Sequence, residues 1–259
     1  MVECGHFEVL LRPGLGGATS LVAGASRGIG RSIAIGLAAA GASVMGLARS
    51  ADALDDLGDE IRAGGGEFLP LVADIAELDS TAAAVAAAWR WKGGLDSLVN
   101  SAGATNRSSA LEISPAEWDA LFDVNLRGAF FLTREVGRRM LDGNGGSIVH
   151  IASLSGVVSD GAQVAYSASK AAMIHMSAVL ADHWAPKVRL NCISPAWVET
   201  DMTRDYLADE DNVSAILQRT PIGRIARPEE MVGAALFLVS GMSSYLTGQN
   251  LLVDGGWTA

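Results

Sequence analysis

The stretch Thr19-Ser20-Leu21-Val22-Ala23-Gly24-Ala25-Ser26-Arg27-Gly28-Ile29-Gly30 decides the fold. Its first part, Thr19–Val22, is a short apolar run that reads as a buried strand, and a helical pattern over Ile29–Ala40 follows the glycines. A strand that turns through glycines straight into a helix lets the backbone come close to a ligand. The helix start then offers unpaired N–H groups and the positive end of its dipole. Those are the properties of a pyrophosphate site. The spacing is G-x-x-x-G-x-G rather than the G-x-G-x-x-G fingerprint, so the loop is one residue type of cradle among several.

Outward from this unit the pattern repeats. Apolar runs at Val44–Leu47, Phe68–Ala73, Ser97–Val99, Ser147–Ile151, Val188–Ile193 and Leu251–Val253 read as further strands. Between them lie helical patterns at Ala51–Ala63, Ser80–Trp91, Pro115–Met140, Val164–Trp184 and Pro228–Ser240. Strand–helix alternation of this kind makes a parallel sheet, and the apolar character of the runs means that both faces are covered. The expected architecture is α/β: a doubly wound, seven-stranded parallel sheet with helices on both faces, a Rossmann fold. We read residues 15–259 as a single domain, preceded by an N-terminal tail over 1–14 that has no clear period.

Composition narrows the function. The chain has 259 residues, 49% of them hydrophobic, and a formal net charge of −10. That charge argues against a nucleic-acid surface and for a small-molecule substrate. No stretch approaches the ~18 apolar residues of a membrane helix, so no membrane partner is expected. Two cysteines, Cys4 and Cys192, make neither a disulfide framework nor a zinc pattern, which suits a reduced, cytoplasmic setting. The four histidines, at 6, 150, 175 and 183, have no metal-ligand spacing; we expect no metal and read them as surface or satisfied core residues.

The second strand selects the cofactor. An acid about 20 positions past the loop would hold the ribose hydroxyls of NAD. Ser43-Val44-Met45-Gly46-Leu47-Ala48-Arg49 has no acid there, and Arg49 stands near it with Arg27 inside the loop. Two guanidinium groups suit a ribose 2′-phosphate, so we read NADP over NAD. Asp74 ends the third strand, where it can accept from the adenine amino group. Asn100-Ser101-Ala102-Gly103 puts small residues and exposed backbone at the carboxyl edge of the fourth.

The catalytic candidates are Ser153, just past the fifth strand, and Tyr166-Ser167-Ala168-Ser169-Lys170 at the start of a helix. Residues four apart share a helix face, so phenol and ammonium can point into one cleft. A phenol is a poor base at neutral pH, and bringing its pKa to ~7 takes about 4 kcal/mol of differential stabilisation. A neighbouring ammonium supplies part of that. A hydroxyl at Ser153 can hydrogen-bond the substrate oxygen as charge develops on it.

These residues resemble the classical short-chain dehydrogenases/reductases over essentially the whole span from Leu15 to Ala259. The likeness rests on loop 24–30, Asn100-Ser101-Ala102-Gly103, Asn125 in Asp123-Val124-Asn125-Leu126, Ser153, Tyr166 with Lys170, and Val253-Asp254-Gly255-Gly256. It implies an NAD(P)-dependent oxidoreductase acting on a carbonyl/alcohol pair. By that resemblance Tyr166 handles the proton, Ser153 orients the carbonyl, Lys170 lowers the tyrosine pKa and binds the nicotinamide ribose, and Asn125 holds a relay water. Ser26, Ile29, Ile75, Asn100, Ala102, Gly103, Pro195, Val198 and Thr200 would join Gly24, Arg27, Gly28, Gly30, Arg49 and Asp74 along the cofactor. The chain departs from the family pattern at Ala23, Ser101 and Ala196, and Trp184–Asn191 is one residue short; none of these removes a catalytic group.

For the substrate, Arg219-Thr220-Pro221 with Gly223-Arg224, the ending Asp254-Gly255-Gly256-Trp257-Thr258-Ala259 and Arg107 resemble gluconate and deoxygluconate dehydrogenases. We therefore expect a sugar acid, polyol or related small hydroxy compound, with Arg107 gripping a carboxylate and Thr105 and Asn106 meeting hydroxyls. The rival reading among enzymes is a 3-oxoacyl-thioester reductase, which would want a basic docking patch for an acidic carrier protein and meets a net charge of −10 instead. The rival of another class is a Rossmann protein that only senses its dinucleotide; such proteins lose the tyrosine or the lysine, and here both stand. Helices Pro115–Met140 and Val164–Trp184 carry apolar residues on more than one face, and the family's tetramers pack these same helices, so we expect a homotetramer.

Overall fold

The computed structural model describes residues 14–159 and 163–259. Seven strands, β1 (Thr19–Ala23), β2 (Ser43–Ala48), β3 (Glu67–Val72), β4 (Ser97–Asn100), β5 (Gly146–Ile151), β6 (Val188–Pro195) and β7 (Asn250–Val253), form one sheet in the order β3-β2-β1-β4-β5-β6-β7. Every neighbouring pair is parallel. The order reverses between β1 and β4, and a crevice opens there at the carboxyl ends of the strands.

Alternation along each strand explains the two layers. In β1, Val22 joins a core with α1 (Gly28–Ala39), α2 (Ala51–Ala63) and α9 (Val232–Val239), through Ile33, Leu37, Leu54, Leu57, Ala235 and Leu238. Its neighbour Leu21 faces the other way, into a core with α3 (Leu78–Lys92), α5 (Ala129–Asp142) and α6 (Val164–Trp184), through Val85, Ala88, Leu132, Val136 and Ala181. Both side chains are fully buried, as two covered faces require.

The helix expected over Pro115–Met140 is interrupted. It starts as α4 (Pro115–Phe122) under a capping box in which Ser114 and Glu117 exchange hydrogen bonds, passes through a π-helical turn at Asp123–Gly128, and resumes as α5. The wider turn carries Asn125, whose side chain is bonded to the backbone of Ala104 across the crevice. Two helices were not expected from the sequence: α7 (Arg204–Leu207) and α8 (Glu210–Gln218). Both are short, and α7 carries no apolar period; α8 does have one, Val213, Ile216 and Leu217 at i, i+3 and i+4, together with a start signal at Asp209, whose side chain accepts from Asp211 N, so it was legible and was missed. The segment Pro228–Ser240 opens as a tight 3₁₀ turn over Pro228–Met231 before α9. Residues 1–13 of the expected tail, with Cys4 and His6, lie outside the described residues.

Candidate active site

The glycine loop is required by close packing. Gly24 has φ +76°, and a Cβ there would lie 2.6 Å from Ala102 N, so the ends of β1 and β4 meet backbone to backbone. The crevice beside them is lined by Gly24, Ser26, Arg27, Gly28 and Ile29 from the loop and by Arg49, Asp74 and Ile75 from beyond β2 and β3. Ala102 and Gly103 line it from beyond β4, and Pro195, Val198 and Thr200 from β6 onward. Two expected cofactor residues stand behind this wall. Gly30 packs against the Gly24 carbonyl with no room for a side chain. Asn100 is fully buried, with Oδ1 accepting from Ala102 N at 3.2 Å and Nδ2 without a partner among the described residues.

This crevice fits a dinucleotide on its own evidence. Arg27 occupies the N-cap of α1 without a side-chain cap, and the first turn holds no acid, so no side chain answers the helix's leading N–H groups. Arg27 lies 3.9 Å from Asp201 and Arg49 lies 3.6 Å from Asp74, with guanidinium side chains 70% and 73% exposed. Exposed pairs of this length are weak and readily exchanged for a phosphate.

At the other end of the same crevice stand Ser153, Tyr166 and Lys170. Ser153 follows β5 and starts a 3₁₀ turn at Leu154–Gly156, its Oγ accepting from Ser155 N at 3.2 Å. Tyr166 and Lys170 are one turn apart on α6, with Nζ of Lys170 5.8 Å from the centre of the tyrosine ring. The ammonium is buried and donates to Ile151 O at 2.8 Å. Burial draws its pKa down from the usual lysine range to about 8, with Cys192 opposing the shift. The side chain is therefore mainly a cation at neutral pH, held next to the phenol. Asn125 stands across from it: Nδ2 donates to Ala104 O and Ser169 Oγ, and Oδ1 accepts from Ala104 N. Gly103 keeps the intervening space open, since a Cβ there would lie 3.4 Å from Asn125 Oδ1 and 3.5 Å from Lys170 Nζ.

Beneath Lys170 runs a polar string. His150, at 0% exposure, bonds Thr133 Oγ1 through Nε2 (2.8 Å) and Ser177 Oγ through Nδ1 (2.9 Å). The two hydroxyls also reach carbonyls one turn back, at Ala129 and Met173. Burial, and then the charge of Lys170, push the imidazole pKa down to about 3. Cys192, also buried, has its thiol pushed up to about 11 by desolvation. Both groups are neutral beside the one charge the site keeps.

Arg107 is not among the residues lining the crevice; it meets the lining at Met202, donating from Nη2 to Met202 O at 3.2 Å, and stacks on Tyr206, 5.0 Å from its ring centre. Among the described residues it has no carboxylate partner, whereas nine other arginines are ion-paired. Asn106 is already engaged: Glu117 accepts from it, from Ser108 and from Ser114, which holds that carboxyl at about 2. Its amide is thus drawn away from the hydroxyl-binding role the sequence suggested, and Thr105 donates to Gln163 Oε1 at 2.8 Å. Trp257 lies under Arg219, 4.5 Å from ring centre to guanidinium, and is not among the residues lining the crevice. Reading by sequence did not assign Ala104, Asp201, Met202 and Thr203 to the site, although they line the crevice. They come from connections without a motif, so only the path of the chain brings them in.

Among the described residues no helix is long and apolar enough to cross a membrane. A family model described as enoyl-(acyl carrier protein) reductase matches residues 24–258. The 2-dehydro-3-deoxy-D-gluconate 5-dehydrogenase of Dickeya dadantii is 35% identical over 247 residues, covering 95% of this chain and 97% of that one. The gluconate 5-dehydrogenase of Gluconobacter oxydans is 38% identical over 245 residues, covering 94% and 96%. Among solved structures, a Beutenbergia cavernae protein assigned as an NAD(P)-dependent gluconate 5-dehydrogenase, with bound NADP at low occupancy, superposes with a TM-score of 0.91 at 42% identity over 95% of this chain and 99% of that one. The chain belongs to the short-chain dehydrogenase/reductase family, oxidoreductases that interconvert a carbonyl and an alcohol.

Proposed function

We propose that the protein is an NADP(H)-dependent dehydrogenase that interconverts a secondary alcohol and a ketone on a sugar acid or similar small polyhydroxy compound. The observation that carries the substrate class is Arg107: a stacked guanidinium with no carboxylate partner among the described residues, bonded to the carbonyl of Met202, which lines the crevice that holds Ser153, Tyr166 and Lys170. The names of the two curated relatives and of the NADP-bound neighbour agree with it.

Bound NADP(H) supplies or accepts the hydride. The chain's own residues do the rest. In oxidation the Tyr166 phenolate takes the hydroxyl proton while Ser153 hydrogen-bonds the same oxygen; in reduction the phenol returns it. Lys170 favours the phenolate by its nearby positive charge, and its ammonium is also the group we assign to the nicotinamide ribose. Asn125 fixes Ala104 and the loop that carries it, and the space kept open by Gly103 is the route we assign for a proton leaving Lys170. Gly24, Ser26, Gly28 and Ile29 would form the pyrophosphate cradle, with Gly30 packed behind it; Asp74 and Ile75 would flank the adenine, and Ala102, Gly103, Pro195, Val198 and Thr200 would border the rest of the dinucleotide, with Asn100 holding Ala102 from behind. A cytoplasmic setting agrees with the buried free thiol of Cys192.

For the substrate, Arg107→Ala is expected to raise KM for an aldonate such as gluconate by a factor corresponding to about 1.5–3 kcal/mol, the range for a hydrogen bond to a charged group, with little change for an uncharged ketone. Steady-state kinetics on both substrates check this, and an equal loss on the two would make Arg107 a structural residue. For the cofactor, Arg49→Ala should weaken NADPH binding and leave NADH binding unchanged, because only the former carries the 2′-phosphate. Fluorescence titration with both nucleotides decides it, and an unaltered preference would overturn the assignment.

The same reading includes a homotetramer. Val179 on α6 is 41% exposed, while Tyr245 at 105% and Leu251 at 38% lie on or just before edge strand β7, more apolar surface than a lone subunit needs to show. Light scattering should give four times the chain mass at micromolar concentration; a monomer contradicts it.

A further inference from the structure

The loop that bears Arg107 gives its guanidinium no ion pair among the described residues, yet the group is held in place by residues far along the chain. Three planar groups from three segments stack on one another. Trp197, two residues past the end of β6, lies parallel to Tyr206 of α7, with ring centres 4.8 Å apart and an interplanar angle of 12°. Arg107, from the loop after β4, covers the Tyr206 ring at 5.0 Å. The turn before α7 is knotted by Thr203, whose Oγ1 accepts from Thr200 N at 3.0 Å, and Asn212 Nδ2 donates to Tyr206 O at 3.1 Å. Tyr206 is thus fixed at both ends of its helix. A guanidinium laid on an aromatic face keeps its N–H edge for a planar anion, and the ordering of its long side chain is complete before any ligand arrives.

We propose that Tyr206, backed by Trp197, is a positioning residue that holds Arg107 ready for the substrate's carboxylate, so that the preference for anionic over neutral substrates is set by an aromatic stack after β6. The proposal rests on the reading of Arg107 as the carboxylate-binding residue. It assigns Tyr206 no part in the proton chemistry and no contact with the substrate.

The test compares the wild type with Tyr206→Leu, Tyr206→Phe and Arg107→Ala, measuring kcat and KM for an aldonate and for a neutral polyol of the same chain length. Tyr206→Leu is expected to raise KM for the aldonate about two- to fivefold, the scale of a lost exposed cation–π contact, with kcat nearly constant and KM for the polyol unchanged. Tyr206→Phe should restore the wild-type KM, because the stack needs the ring and not the hydroxyl. Unchanged NADPH titration in the leucine variant shows that the cofactor crevice is intact. An equal rise in KM on both substrates, no rise on the aldonate, or failure of the phenylalanine variant to restore it each overturns the proposal. If Arg107→Ala impairs the aldonate and Tyr206→Leu does not, the stack alone is refuted. If Arg107→Ala leaves the aldonate untouched, or no aldonate is turned over, the reading of Arg107 falls and the proposal with it.

Discussion

Replacing Tyr166 with phenylalanine is expected to lower kcat by about 10³-fold, within the range for loss of a general acid–base, while the Kd for NADPH stays within a factor of about two. Tyr166 shares the crevice with Ser153 and with the buried ammonium of Lys170, whose Nζ lies 5.8 Å from the ring centre. No other phenol, carboxylate or imidazole lies between Ser153 and Lys170 among the residues lining that end. Phenylalanine keeps the ring and its packing but has no proton to give. Stopped-flow measurement of turnover beside a binding titration separates the two effects. Substantial turnover in the variant would place the proton on another group.

The second large effect is on stability at low pH. His150 has a pKa of about 3 in the folded chain against an ordinary 6.5. Between those values the unfolded chain binds the extra proton and the folded chain does not, so stability rises with pH across this window. It is complete above pH 6.5 and is lost as pH falls toward 3. In its neutral form the imidazole donates its one ring N–H to a hydroxyl, Thr133 Oγ1 or Ser177 Oγ, each of which gives its own proton to a carbonyl one turn back. Charging it means placing a second cation in a dry core near Lys170. By about pH 4.5 the wild type should have lost about 3 kcal/mol through this group alone. In His150→Gln the cost of the substitution should therefore shrink by a similar amount between near pH 7.5 and pH 4.5. Urea unfolding at the two pH values measures it; parallel losses in both proteins would show that His150 does not govern the acid limb.

Much of this was legible because the sheet is buried on both faces. Leu21 and Val22 could be read as one apolar run without knowing which core each enters, and parallel pairing followed from the strand–helix alternation, whereas the register did not. The glycine loop was legible for a different reason: Gly24 answers a backbone approach that no other residue tolerates, so its constraint is written as a residue type. The π turn at Asn125 left no such mark, since it replaces one helical hydrogen-bond pattern by another in an unbroken helical stretch. Contacts set by tertiary distance were equally silent. His150 looked like any core histidine until Thr133 and Ser177 came from two different helices to meet it. Arg107 was found as a cation after β4, but Tyr206 and Trp197, almost a hundred residues on, gave no sign that they would hold it.

We propose that this crevice moves a hydride between NADP(H) and a sugar acid under the control of Tyr166. The most direct measurement follows NADPH absorbance when the protein is mixed with the keto form of an aldonate, with a neutral ketose and a 3-oxoacyl thioester run beside it. The account predicts that NADPH is consumed fastest with the keto acid and that NADH is the poorer donor. Consumption with the thioester alone, or none with any keto acid, would contradict it.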